Sequence, residues 1–155
     1  MHRTGPAFLA LIVLVAACSS SPRVAPPSSA PPSDASRYLA IADTANAAVA
    51  RARRQLAADG SDLARVQADL VAIADAKQAF DDALEGLTLP SSVTDDVAAL
   101  VAADAALEQV LREGATVSSV AGLAALQKKI LQAGDASVRA AVVVRQRLGL
   151  PPPPR

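Results

Sequence analysis

The chain has 155 residues, with 15 Lys and Arg against 15 Asp and Glu, one histidine, one cysteine and no tryptophan. Balanced charge argues against a nucleic-acid-binding domain, which would present a strongly basic face. A single cysteine excludes a disulfide within one chain and a cysteine-built zinc site, and an aromatic content of 2% leaves few large side chains to anchor a core.

In chain order, the amino terminus and Arg3 supply positive charge, and an unbroken apolar run fills residues 7–17. The run is shorter than the roughly 20 apolar residues needed to span a bilayer. A basic start, a short apolar stretch and small residues after it form the plan of an export signal. Val15-Ala16-Ala17-Cys18 closes the run and resembles the lipobox of bacterial lipoproteins. The resemblance implies that a peptidase recognises Val15, Ala16 and Ala17, that residues 1–17 are removed as a signal peptide, and that Cys18 becomes the first residue and carries diacylglycerol, with palmitate among the acyl groups. Two acyl chains anchor stably where one holds only marginally. The expected partner is therefore a membrane, reached through diacylglycerol on Cys18, and the expected location is its extracytoplasmic face. The alternative is an ordinary secretory signal in which the cysteine is incidental.

Residues 18–33 form the lipidated cysteine and a Ser/Pro/Ala-rich stretch, SSSPRVAPPSSAPPS. It has almost no large apolar residues and cannot bury a core. Its prolines favour an extended chain of about 3.1 Å per residue, so it could reach roughly 45 Å. We read it as a tether.

From Asp34 the composition shifts to Ala, Leu and Val with interspersed charges, and residues 34–149 show helical periodicity in four segments. The first runs over about 34–58 with a stripe at Tyr38, Ile41, Ala45, Val49, Ala52 and Leu56. Asp59-Gly60 ends it, and Ser61 can cap the next helix. The second covers about 62–86 with Leu63, Val66, Leu70, Ile73, Phe80 and Leu84. A loop at 87–91 follows, and Ser92 with Asp95 resembles a capping box. The third helix then carries Val93, Val97, Leu100, Leu107 and Leu111 and is expected to stop at Gly114. The fourth starts near Ser118 or Ser119 and carries Val120, Leu123, Ile130, Ala141, Val144 and Leu148. Gly134 within it is expected to kink the helix or to permit close packing. Gly149 and the proline-rich tail, residues 150–155, end it.

Short loops between four helices favour antiparallel neighbours, so the expected fold is all-α, an up-down-up-down four-helix bundle. A three-helix bundle with the fourth helix loosely docked is the alternative. Both ends of the domain would lie at the membrane-proximal end, where Arg145, Arg147 and Arg155 are expected to face anionic headgroups.

Tyr38-Leu39-Ala40-Ile41-Ala42-Asp43 and the final stretch VRQRLGLPPPPR are similar to small helical lipoproteins of high-GC Gram-positive bacteria. That resemblance implies a cell-surface setting and carries over no activity.

Catalytic chemistry is poorly provided for. The only histidine, His2, lies in the segment expected to be removed, so the mature chain has no imidazole base and no Ser-His-Asp or Cys-His arrangement. No Gly-rich phosphate loop and no Glu-x-x-His pair occurs. Asp59-Gly60-Ser61-Asp62 is a turn and cap, since it lacks the span and terminal Glu of a calcium loop. The pairs Asp81-Asp82 and Asp95-Asp96 could bind a cation weakly, but fit better as a solvated face or a favourable helix start. No enzyme activity, cofactor or metal is expected.

Lys77 and Asp104 stand where apolar residues belong. At 1.5 Å per residue they lie roughly 15 and 18 Å from the connecting loop, nearly level in an antiparallel hairpin. A partly buried Lys77–Asp104 pair is one reading; the other turns Lys77 outward and Asp104 to the flank. The expected role is a non-enzymatic, membrane-anchored interaction or structural module, with an unidentified envelope protein as a possible partner. The alternative is a carrier or sensor for a small or lipidic molecule, with room near Ala45, Gly134 and Ser137.

Overall fold

Apolar residues spaced three and four apart give each helix one stripe to bury, and the chain solves this by folding back three times. A computed structural model describes residues 33–60 and 62–153; the lipobox, Cys18, most of the tether, Ser61 and Arg155 lie outside the described residues. The helices are α1 (Asp34–Asp59), α2 (Leu63–Glu85), α3 (Thr94–Ala115) and α4 (Val120–Arg147), with one 3₁₀ turn at Ser91–Val93. The protein is an all-α four-helix bundle.

Two apolar clusters define the topology. One joins Tyr38 and Ala42 at the start of α1, Phe80 and Leu84 at the end of α2, Leu100 early in α3 and Val144 late in α4. The other joins Ala52, Val66, Leu70, Ile73, Leu107 and Leu111, with Leu123 and Ile130 of α4 packed against them. Starts therefore meet ends, as antiparallel neighbours require. The close backbone approaches are α1 with α2, α2 with α3 and α3 with α4. The seam between α1 and α4 is the wide one. Full burial of a large apolar side chain contributes about 1.5–3 kcal/mol. Few do so here: among the side chains with almost no exposure the largest are Tyr38, Leu84, Leu100, Val93, Val144 and Asp104.

The helix ends correct several sequence expectations. Ser33 caps α1 by accepting from the Ser36 N–H, and Ser119 caps α4 by accepting from the Gly122 N–H. For α2 the cap is Asp62, which accepts from the Arg65 N–H at 3.2 Å. The Ser92–Asp95 capping box does not form, because Ser91–Val93 is already a turn of 3₁₀ helix and the residue preceding α3, Val93, makes no side-chain cap. That turn places Val93 in the core. Asp95 and Asp96 occupy the first turn of α3, where the helix dipole favours anions.

Gly114 does not stop α3. It lies inside the helix and is buried, and a Cβ there would sit 3.0 Å from Leu70 Cδ1 and 3.4 Å from Leu123 Cδ1. Gly134 lies inside α4 and does not serve close packing, since a Cβ there would meet nothing within 4 Å. The two glycines should therefore respond oppositely to alanine. Gly134→Ala gains roughly 0.5–1 kcal/mol from helix propensity alone. Gly114→Ala gains the same propensity but crowds buried Leu70, and overpacking costs about 1–3 kcal/mol. Chemical denaturation should show the first variant more stable than the native chain and the second less stable.

Candidate functional site

The fold brings four charged side chains together inside the half of the bundle nearest the chain ends. On α2, Lys77 and Asp81 are one turn apart; on α3, Asp104 and Glu108 are likewise one turn apart, so each pair shares a face. Lys77 Nζ lies 2.6 Å from Asp104 Oδ2. The Lys77 side chain is 17% exposed and that of Asp104 is fully buried. The ammonium also sits 5.4 Å from the centre of the Phe80 ring, which in turn meets Tyr38 edge to face. Lys77 thus runs along the apolar wall and holds its charge against two aromatic and ionic partners.

The contact with Asp104 is ionic rather than a well-aligned hydrogen bond, since neither carboxylate oxygen of Asp104 has an aligned donor. Asp81 supplies what is missing. Its side chain is 7% exposed, and its pKa is pushed up to about 8 by burial, then by the Asp104 charge, against the pull of Lys77. A proton retained on Asp81 can be donated to Asp104, so two adjacent carboxyl groups share one negative charge. Glu108, at the edge, is raised by burial and by Asp104, while Arg112 and Lys77 oppose the rise. The reading of Asp81-Asp82 as a solvated pair is therefore half wrong: Asp82 is exposed and Asp81 is not.

Arg145, beside this cluster, is placed otherwise than the sequence suggested. It is 6% exposed, so it does not face headgroups as expected. The reason is local. Gly149, at φ 69°, closes α4 in a Schellman turn, with Leu150 N–H donating to the Arg145 carbonyl and Gly149 N–H to the Gln146 carbonyl. The turn returns the tail over the helix end, and Arg145 Nε donates to the Pro151 carbonyl at 2.6 Å. Arg147 remains 63% exposed and pairs with Asp96 at 3.1 Å.

A cavity of about 60 Å³ adjoins this cluster, lined by Tyr38, Asn46, Lys77, Arg145 and apolar side chains, with Pro153 at its edge. Of the three small residues expected to leave room, Ala45 lines it and Gly134 and Ser137 do not. Burial holds the Tyr38 phenol above its usual range, Arg145 opposing and Asp104 adding to the rise. The arrangement can hold a proton and opposite charges at fixed distance. Among the described residues there is no group of metal-ligating side chains and no helix long and apolar enough to cross a membrane.

Two measurements check this site. Lys77→Met leaves the Asp104 charge buried and alone, at a cost of about 3–5 kcal/mol. Asp104→Leu costs less because Lys77 can extend to water. The double variant should recover part of the loss, with a coupling of about 1–3 kcal/mol in a thermodynamic cycle; additive losses would show that the residues do not interact. The second concerns pH. An ordinary aspartate titrates near 3.8 and Asp81 near 8, so between these values the folded chain holds a proton that the unfolded chain has released. Stability therefore falls as pH rises from about 4 to about 8 and levels off above. Asp81→Asn should melt higher than the native chain at pH 8, with the advantage vanishing towards pH 4.

No protein-family model, curated protein or solved structure matches this chain.

Proposed function

We propose that this chain is a lipid-anchored helical module on the extracytoplasmic face of a cell membrane, with a non-enzymatic structural or interaction role. The observation that carries the proposal is the run ending in Val15-Ala16-Ala17-Cys18, followed by a proline-rich stretch and a folded bundle. The bundle adds a geometric argument. Ser33 and the α4 terminus lie at one end, so a tether joined at Ser33 leaves the α1–α2 turn and the α3–α4 loop pointing away from the anchor. Support for a non-enzymatic role comes from Asp104 and Asp81, which lie away from solvent, the first of them held by Lys77.

A second reading, a carrier for a small molecule, is favoured by one observation: the cavity on the α1/α4 seam is lined by a buried cation. The test of the anchored module is Cys18→Ser in living cells. The native chain should take up radiolabelled palmitate, partition into detergent and crosslink a partner in the envelope. The serine variant should lose all three. Equal membrane partitioning of the two would overturn the lipid anchor, and no partner above the serine control would overturn the adaptor role.

A further inference from the structure

The two cations at this end of the bundle differ in their partners. Lys77 lies against the Asp104 carboxylate. Arg145 does not have one. Among the described residues no carboxylate lies within ion-pair distance of the Arg145 guanidinium. An uncompensated charge buried to this degree is costly. One of its five N–H groups is committed to the Pro151 carbonyl, and the planar fork retains donors for a further acceptor.

The cavity beside Arg145 is several times the roughly 10–15 Å³ that admits one water. Its remaining wall is largely apolar, from Ala42, Ala45, Val49, Phe80, Leu100 and Ala141. It lies on the wide seam, where a ligand can enter without parting close-packed helices.

We propose that this cavity is a binding site for a small monocarboxylate, which pairs with the Arg145 guanidinium and lays a short alkyl chain against the alanine wall. A carboxylate accepts two parallel N–H bonds from the guanidinium fork. A monoanion supplies the single counter-charge that Arg145 lacks; a doubly charged phosphate would bring a second charge close to the buried Asp104 carboxylate. At about 60 Å³, under half of the roughly 150 Å³ that admits benzene, the cavity encloses the carboxylate and the first carbon or two, and the rest of a short chain lies along the open seam. The tail from Leu148 to Pro153, fastened by the Schellman turn and the Arg145–Pro151 bond, borders the same cavity and limits its access to water. The proposal rests on the carrier reading above and gives it a ligand class.

Calorimetric titration of the purified full chain in detergent with butyrate, butyramide and inorganic phosphate tests it. Butyrate should bind, and the other two should bind at least about tenfold more weakly. Arg145→Gln should weaken butyrate binding by a factor of ten or more, while exposed Arg147→Gln leaves it unchanged. Ala141→Leu fills the cavity without touching a charge and should abolish binding, which keeps the test decisive if Arg145→Gln fails to fold. Equal binding of butyramide would overturn the carboxylate and leave the carrier standing. Equal binding of phosphate would overturn the monocarboxylate in favour of a plain anion site. Binding of none of the three, together with no small molecule released from the native chain on denaturation, would overturn both.

Discussion

A carboxylate with no solvent exposure, Asp104, sets the terms for the rest of the bundle. A charge in that position needs a counter-charge at close range, and Lys77 can supply it only if α2 and α3 stand in one register. A slip of one turn would carry the ammonium about 5.4 Å along the axis and leave the carboxylate alone. Burial first, and then the same charge, push the pKa of the neighbouring Asp81 carboxyl up to about 8. Compared with a well-packed apolar pair in its place, the ion pair adds little stability. Its effect is to make every other alignment of this hairpin worse.

Such specification matters in an alanine-rich interior. Alanine favours the helix but offers little area to bury and no distinctive shape, so stripes of it can slide past one another at small cost. The chain marks its levels with a few unlike features: the Tyr38–Phe80 edge contact, the ion pair, and the notch at Gly114 that receives Leu70 and Leu123. Polar ties at the surface repeat the message, with Arg112 bonded to Asp75 and Gln78, and Gln67 donating to the Val117 carbonyl.

The four helices were legible because apolar spacing is a property of the chain itself, and their ends fall within a few residues of the stops and caps written in it. Lys77 and Asp104 were visible for the same reason, as interruptions of a stripe. Asp81 was not, although it follows Lys77 by one turn, because an adjacent pair of aspartates looks like a wet surface until the neighbouring helix is in place. Arg145 was misplaced because a cation in a last turn ordinarily faces water; only the return of the chain beyond Gly149 covers it. The absent Ser92–Asp95 box teaches a similar lesson. The motif was present, but packing of Val93 started the helical backbone before the serine could act as a cap.

The ionic ties among the four helices run in series. Every interhelical ion pair among the described residues joins helices that are consecutive in the chain, and α1 has its close backbone approach with α2 alone. A structure wired in this way is mechanically polarised. Force applied at Ser33 enters at one end of α1, where the close backbone approach is to α2 and the ties to α3 and α4 are the apolar contacts of Tyr38 and Ala42. The first helix can lift away while α2, α3 and α4 keep the ion pair and most of the apolar contacts of the α2–α3 hairpin.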